Sequence, residues 1–398
     1  MRLLDKPWPL SMKASLSPAN RTQSAAVVWI DKPQQLQELI RLLAKEPLVA
    51  IDTESDSLYS YFEKVCLIQF SIPAGDYLVD PLKLDVSGLA PFFADGDIQK
   101  IFHAAEYDFL SLKRDYGFTF ANLFDTMIAA KILGWPRYGL GPILADYFEV
   151  ELNKRFQRYN WGQRPLSKPA LDYAHLDTHY LLPLREIQFT ELKKQHRLQE
   201  ALEAFDRLTQ VEPTPKIFDP DDFWRIKGAK DLNPSQQGVL RELFILRDKI
   251  ARRIDRPPFK VMNDNTLIKL AKEQPLHSGQ LQQIKGIGEK LLQHNGSDIL
   301  RAIRQGQAAP YPQYQPPNNH SPDDSTLARY ETLRQWRNGL AAQRGVEPDV
   351  IISNQNLMNI ARRNPKSLAA LTKMGILGNW QYETYGRTLL QLLKTTAS

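Results

Sequence analysis

The periodicity of apolar residues changes near Val211, and this change limits the folds that the chain can adopt. From residue 27 to about residue 207, short β-rich runs alternate with helical patterns. Such alternation is typical of an α/β fold, in which helices cover a sheet. Beyond Val211 the strand signals stop, Pro213, Pro215 and Pro220 mark a linker, and helical periodicity dominates. We therefore predict an α/β domain followed by all-α structure.

The first half contains several runs that are typical of strands. We predict one helix, Asp108–Tyr116, and the strands Leu48–Ile51, Val65–Ile72, Tyr77–Val79 and Lys100–His103. The second strand follows the first too closely for a helical crossover, which needs about a dozen residues. An antiparallel hairpin, and therefore a mixed sheet with flanking helices, is expected.

The all-α half repeats itself at an offset of 90 residues. In both copies an Arg-bearing helix leads to a Pro-containing loop, and a capping residue, Asn263 or Ser353, precedes a short helix. The matched positions are Leu243, Arg247, Pro258, Leu267, Ala271 and Pro275 in the first copy and Leu333, Arg337, Pro348, Leu357, Ala361 and Pro365 in the second. Six matches without an insertion indicate a tandem duplication of a small helical domain.

These features divide the chain into five segments. The first 25 residues are polar and Ser-rich, and a stretch with five prolines separates the two helical repeats. We predict an N-terminal extension (1–25), the α/β domain (26–210), the first helical repeat (219–307), a Pro-rich linker (308–322) and the second helical repeat (323–398).

Charge is distributed unevenly between the two halves. Residues 1–210 hold 24 Lys and Arg against 27 Asp and Glu, whereas residues 211–398 hold 27 against 18. A basic half indicates a polyanion partner, because lysines and arginines neutralise phosphates. The alternative is a solvated surface that is basic for no functional reason. The single cysteine, Cys66, the lack of a signal-peptide core and the lack of a long apolar run favour a cytoplasmic protein without a membrane partner.

Carboxylates follow the strands of the α/β domain. Asp52 and Glu54 are two residues apart after an apolar strand, so their side chains point to the same side. A divalent cation would compensate such an acid pair, and oxygen ligands suit Mg²⁺ or Mn²⁺; an exposed turn is the alternative. Asp108 opens a predicted helix, where a negative charge is favourable in any case. Tyr173 and Asp177 are four residues apart and would share one helix face, as they also would in an ordinary amphipathic helix.

The order and spacing of these motifs resemble those of bacterial ribonuclease D, in the DEDDy branch of 3′–5′ exonucleases. The resemblance covers residues 27–207, and the helical repeats resemble HRDC domains, which are nucleic-acid-binding modules. The matching segments are Asp52-Thr53-Glu54, His103 to Asp108, Asp125-Thr126, Arg164-Pro165-Leu166 and Tyr173 with Asp177. One departure is Ser55, because many members have an aromatic residue there; Tyr59 or Tyr61 are candidates to replace it.

The resemblance implies a ribonuclease-H-like fold and two divalent metal ions, Mg²⁺ or Mn²⁺. Asp52, Glu54, Asp108 and Asp177 would then hold the metals, with Asp52 shared between them. Tyr173 would position the attacking water, since a tyrosine with an ordinary pKa near 10 is a poor base at neutral pH. Asp125 is expected to support the structure and not to bind metal.

Two further groups are candidates for RNA binding. Arg155, Arg158, Trp161 and Arg164 interleave cations with an aromatic side chain, a composition that suits a single strand; the alternative is a structural loop that buries Trp161. In the first helical repeat, Lys285 and Lys290 flank a glycine-bracketed turn at the start of a helix. Backbone amides in such a turn can bind phosphate, although an ordinary helix connection explains the turn as well.

The function that these features indicate is a metal-dependent 3′–5′ exoribonuclease. It would release 5′-mononucleotides, and the resemblance implies maturation of the 3′ ends of transfer RNA or other stable RNAs, by a protein that is expected to be monomeric. One alternative is a DNA exonuclease, because the same carboxylates serve both sugars. The other is a non-catalytic RNA-binding scaffold built on a nuclease fold.

Overall fold

The computed structural model describes residues 27–215, 217–314 and 322–395. The predicted N-terminal extension and residues 315–321 of the predicted Pro-rich linker lie outside the described residues. The chain divides into two compact units. Among the described residues, the first comprises 27–54, 65–213 and 322–395, and the second comprises 55–64, 214–215 and 217–314. No helix among the described residues is long and apolar enough to cross a membrane.

The first unit contains a six-stranded sheet in the order β1-β4-β3-β2-β5-β6. β1 pairs parallel to β4, and β2, β5 and β6 are parallel to one another, whereas β3 and β4 are antiparallel. The sheet is therefore mixed, as predicted. Its strands are β1 Val27–Ile30, β2 Leu48–Ser55, β3 Val65–Ile72, β4 Gly75–Val79, β5 Gln99–Phe102 and β6 Leu123–Asp125.

Helices flank this sheet. Every residue of β3 is buried, as expected for a strand that is covered on both faces. The flanking helices are α1 Pro33–Leu43, α2 Ala90–Ala94, α3 Glu106–Tyr116, α4 Thr126–Leu133, α5 Leu140–Phe148, α6 Lys168–Ala174, α7 Leu176–His179, α8 Leu181–Lys194 and α9 Leu198–Thr209. This architecture confirms the predicted α/β fold class.

Two element boundaries near the acidic motifs differ from the prediction. β2 continues through Asp52 and Glu54 to Ser55, beyond the predicted end at Ile51. α3 begins at Glu106, so that Asp108 lies inside its first turn instead of opening the helix.

The second helical repeat belongs to the first unit and packs against α9. Arg344 forms an ion pair with Glu200 of α9 at 2.5 Å, and it also donates to the Tyr385 hydroxyl. The Glu200 side chain is only 5% exposed, so this contact is a buried one. The helices of this repeat are α15 Asp324–Arg344, α16 Pro348–Ile351, α17 Asn354–Arg363, α18 Leu368–Thr372 and α19 Asn379–Thr395.

The first helical repeat forms the second unit together with the loop at residues 55–64. Within this unit the Tyr61 hydroxyl donates to Asp248 at 2.7 Å, and the backbone amides of Tyr61 and Phe62 donate to Asp255. The helices are α10 Pro234–Arg253, α11 Pro258–Val261, α12 Asp264–Glu273, α13 Ser278–Gln283 and α14 Glu289–Ala308.

The two repeats are equivalent in their buried polar contacts. In the first, the Arg247 guanidinium donates to the Met262 carbonyl and to Asp264. In the second, Arg337 donates to Ile352 O and to Asn354, which are the positions 90 residues further on. The contacts are what a duplicated helical domain would retain.

Candidate active site

The polar end of β2 carries the first two acidic side chains. The strand is apolar and fully buried from Leu48 to Ile51, and partly buried from Asp52 onward. Because side chains alternate along a strand, Asp52 and Glu54 lie on the same side of the sheet. Asp177, in the short helix α7, joins them: one carboxylate oxygen from each of the three residues lies within 4.8 Å of the others.

Asp108 reaches the same strand from the first turn of α3. Its Oδ1 accepts a hydrogen bond from the Thr53 backbone N–H at 3.1 Å and a second, very short one from the Thr53 hydroxyl. Thr53 lies between Asp52 and Glu54 in the chain, so the structure brings together acidic groups from three distant segments. The side chains of Asp108 and Asp177 are buried, at 6% and 7% exposure.

The four carboxylates raise one another's pKa values. Burial, followed by repulsion from the other acidic groups, raises the pKa of Asp52 and of Glu54 well above their ordinary values. Burial also raises the pKa of Asp108 to about 7 and that of Asp177 to about 8. In the part of the chain that the structure describes, no Lys or Arg forms an ion pair with any of the four. Crowded carboxylates without a basic partner are the donor set that a divalent cation compensates.

Tyr173 lies at the end of α6 and contacts Asp177 through a hydrogen bond from its hydroxyl. The predicted continuous helix is wrong, because α6 ends at Ala174 and α7 begins at Leu176, with His175 between them. His175 keeps a helical backbone conformation, and the two side chains still meet. Burial and the neighbouring carboxylates raise the pKa of Tyr173, so its hydroxyl keeps its proton and can only donate or accept hydrogen bonds.

A cluster beneath α7, not anticipated from the sequence, fixes Asp177. Asp76 of β4 contacts His175 Nδ1 at 3.3 Å and His179 Nδ1 at 2.7 Å, and it accepts a hydrogen bond from Ser71. Burial would raise the pKa of Asp76, but these hydrogen bonds outweigh it and lower the pKa. Asp76 of the sheet therefore holds His175 and His179, which precede and follow Asp177 in the chain.

Gln69 of β3 is a second residue that sequence reasoning missed. Its side-chain amide donates to Asp52 Oδ2 at 3.2 Å, while its own Oε1 is buried without a hydrogen-bond partner among the described residues. An amide between apolar residues in a strand that is buried throughout is a signal that could have identified it.

Asp125 supports the site without facing it. Its carboxylate accepts hydrogen bonds from the backbone amides of Met127 and Ile128 at the start of α4, and from Ala105 at 2.7 Å. Asp125 is thus the N-cap of α4, and it joins that helix to the turn that precedes α3.

The basic loop before α6 does not present all of its predicted RNA contacts. The Trp161 ring is 1% exposed and packs near Tyr173, so it cannot stack on a base. Arg164 is committed to a bidentate pair with Asp80 at 2.7 Å and to the Cys66 carbonyl. For these two residues the structural alternative is correct. Arg155 and Arg158 are exposed and stay candidates for RNA binding.

The remaining candidates lie in the second unit. Lys285 and Lys290 are both exposed on either side of the turn that precedes α14. Tyr61, a candidate to replace the missing aromatic after Glu54, is held within this unit by Asp248 and Arg252. Tyr59 faces Lys260, whose Nζ is 3.7 Å from the centre of the ring.

Comparison with known proteins identifies the domains of the chain. Residues 27–193 match a family model described as 3′–5′ exonuclease. This segment is therefore a 3′–5′ exonuclease domain. Residues 236–303 and 326–393 match the HRDC domain, so the exonuclease domain is followed by tandem HRDC domains, as the resemblance to ribonuclease D predicted.

Named relatives fall into two groups. The chain is 31% identical over 310 residues to the exosome complex exonuclease RRP6 of Saccharomyces cerevisiae, which covers 72% of this chain and 42% of the relative. It thus spans less than half the length of the RRP6 relatives. It is 25% identical over 383 residues to ribonuclease D of Granulibacter bethesdensis, which covers 95% of both chains.

A solved structure has the same fold. The crystal structure of ribonuclease D of Escherichia coli, described as an exoribonuclease involved in structured RNA processing, matches with a TM-score of 0.64. The match covers 93% of this chain and 99% of that one, at 23% identity. The likeness therefore extends through the exonuclease domain and both HRDC domains.

Proposed function

We propose that this protein is a metal-dependent exoribonuclease that removes nucleotides from RNA 3′ ends and releases 5′-mononucleotides. One observation carries the proposal: the oxygens of Asp52, Glu54 and Asp177 lie within 4.8 Å of one another, and Asp108 is bound to the backbone between the first two. Both groups of named relatives, RRP6 and ribonuclease D, support RNA as the substrate.

The four carboxylates would hold two divalent cations, Mg²⁺ or Mn²⁺, and Asp52 would be a ligand of both. Bound there, the cations would activate the attacking water and stabilise the leaving 3′ oxygen. The cations would be held by the ionised carboxylates of Asp52, Glu54, Asp108 and Asp177. Their raised pKa values show that ionising these groups is costly when no metal is bound.

The remaining side chains of the site act by position. Tyr173 would hold the attacking water through its protonated hydroxyl, oriented by Asp177. Thr53 would fix Asp108, and Gln69 would fix Asp52. Each hydrogen bond lowers the freedom of a ligand before the substrate arrives, which is how a metal site is preorganised.

We propose a monomer that acts in the cytoplasm on 3′ extensions of transfer RNA or other stable RNAs. The ribonuclease D names among the relatives support the RNA class, and the buried thiol of Cys66, the single cysteine of the chain, is compatible with a reducing compartment.

The test is digestion of matched RNA and DNA oligonucleotides labelled at the 5′ end, with Mg²⁺, with Mn²⁺ and with a chelator. We expect a ladder of RNA products that shorten one nucleotide at a time from the 3′ end, only with metal and not with Asp52→Asn. Faster digestion of DNA would favour the DNA exonuclease. RNA binding without any metal-dependent product would favour the scaffold.

A further inference from the structure

The second HRDC domain binds an anion supplied by the exonuclease domain. At the start of α19, the backbone amides of Trp380 and Gln381 donate to the two carboxylate oxygens of Glu203 in α9, at 2.5 and 3.2 Å. The residue before the helix is Gly378, and a Cβ there would lie 2.0 Å from the carboxyl carbon of Glu203. The amides at this helix N-terminus therefore form an anion site that the protein fills itself.

The first HRDC domain has the equivalent backbone without the carboxylate. Gly288 and Gly378 correspond at the 90-residue offset, and their carbonyls accept the same first helical hydrogen bond, from Leu292 and Tyr382 respectively. No side chain caps α14, and a Cβ on Gly288 would have nothing within 4 Å among the described residues. The position that Glu203 fills in one copy is thus open in the other.

Basic side chains lie beside the turn that precedes the open copy. Lys285 and Gly286, just before α14, line a groove of about 690 Å³ together with Lys269 and Lys272 of α12. All three lysines are exposed. Lys290 follows in the first turn of α14, where Glu289 is the one acidic residue. Lysines beside free helix amides make a site for a dianion or a phosphodiester.

We propose that the N-terminus of α14, with Lys285, Lys269 and Lys272, binds a backbone phosphate of RNA, whereas the same site in the second HRDC domain is closed by Glu203 and serves docking. The inference rests on the proposed RNA substrate, and it assigns different tasks to two copies of one domain. The first copy binds substrate, and the second is part of the catalytic unit.

Phosphate fits better than a carboxylate of a protein partner. The site lies in the half of the chain that carries 27 Lys and Arg against 18 Asp and Glu, and several cations around one anion suit a polymer of phosphates. A phosphodiester would accept hydrogen bonds from the amides of the first copy that are equivalent to those bound by Glu203 in the second copy.

A carboxylate that plays the part of Glu203 can be introduced into the first HRDC domain by substitution. Gly288 has an extended backbone, with φ −79° and ψ 159°, which suits an N-cap residue with a side chain. Gly288→Asp would place a carboxylate over the free amides, so the helix would be capped and the phosphate would be excluded. The variant is expected to melt no lower than the unaltered protein, which separates loss of binding from loss of folding.

The experiment is RNA binding by fluorescence anisotropy over a range of salt concentrations, with the full chain carrying Asp52→Asn to prevent digestion. Gly288→Asp should raise the Kd at least about fivefold. It should also reduce the dependence of log Kd on log salt concentration by the amount that about one phosphate contact contributes. Gly288→Asn, which caps without charge, should cause a smaller loss. The matched control is Gly339→Asp, on an exposed turn of α15 with open space around it, which should change the Kd less than twofold.

An equal loss with Gly339→Asp would show that only net charge matters and would overturn the site. Unchanged binding by Gly288→Asp would overturn it as well. Inorganic phosphate at millimolar concentration should compete with RNA in the unaltered protein and not in Gly288→Asp; competition in both would contradict the proposal. Metal-dependent hydrolysis of a small chromogenic nucleotide diester by the chain without any substitution tests the proposed activity separately from the phosphate site. Its absence would contradict the proposed function, whereas the anisotropy series with Gly288→Asp and Gly339→Asp tests the phosphate site alone.

Discussion

Thr53 holds Asp108 with both its backbone N–H and its hydroxyl, across a separation of 55 residues in the chain. Through this contact the strand that carries Asp52 and Glu54 also fixes the third acidic side chain. The site is therefore arranged by β2 as much as by its four carboxylates.

Replacing Thr53 with Val removes the hydroxyl and keeps the shape and the backbone N–H. Asp108 would lose one of two donors, so the metal would be held less firmly. We expect kcat to fall about tenfold and the metal concentration for half-maximal activity to rise, which is a typical effect of an outer contact to a metal ligand. Thr53→Ser, which keeps the hydroxyl, is the control and should retain most of the activity; equal losses in both variants would argue against the hydrogen bond.

The stability of the metal-free protein should fall as pH rises from about 4 to about 8. The pKa values of Asp108 and Asp177 are raised to about 7 and about 8 in the folded chain, so the folded state binds more protons than the unfolded state in this window. Stability is then full below the unfolded pKa and is lost as pH rises through the folded values.

Thermal melting with a chelator, at pH 5 and pH 8, measures this loss. Saturating Mg²⁺ or Mn²⁺ should restore the melting temperature more at pH 8 than at pH 5, because the ligands are ionised there. Asp52→Asn removes one repelling charge and should flatten the pH dependence. A metal-free protein that is more stable at pH 8 than at pH 5 would contradict the assigned repulsion.

Tyr173→Phe should reduce turnover less than Asp52→Asn does. The hydroxyl of Tyr173 stays protonated at neutral pH and only positions water, whereas Asp52 is expected to bind both metals. We expect a loss of about 10- to 100-fold for the tyrosine variant, with unchanged RNA binding, as measured in single-turnover digestion. A loss as large as that of Asp52→Asn would give Tyr173 a larger role than water positioning.

Arg344→Ala should destabilise the unit that contains the exonuclease domain and the second HRDC domain. Removing one partner of a buried ion pair leaves Glu200 buried without its ion-pair partner, at a cost of about 3–5 kcal/mol. Denaturant unfolding measures the change. Arg334→Ala, which breaks an exposed pair with Glu331 in the same helix, is the control and should have no measurable effect. Equal effects of the two substitutions would contradict the importance of this contact.

The fold class and the acidic motifs could be predicted because they depend on local periodicity. The apolar run before Asp52 predicts a buried strand, and the 90-residue repeat predicts two similar helical domains. The break at His175, the Asp76 cluster and the Gln69 contact depend on which strands become neighbours, and periodicity carries no information on that.

The different contacts of the two HRDC domains could not be predicted from the sequence, for the same reason. Glu203 and Trp380 are 177 residues apart in the chain, and nothing local marks the glutamate as a partner. Likewise, the composition around Trp161 suits an RNA-binding loop and a structural loop equally, and only its burial decides between them. Truncation near Val211 would therefore remove the second HRDC domain, which packs against α9, together with the first.

The most direct test of the metal site is a crystal soaked in Mn²⁺ and measured at the manganese absorption edge. We expect two anomalous peaks among Asp52, Glu54, Asp108 and Asp177, with Asp52 in contact with both, at oxygen distances of about 2.0–2.4 Å. Saturating Mn²⁺ without a peak among these four side chains would contradict the proposed metal site.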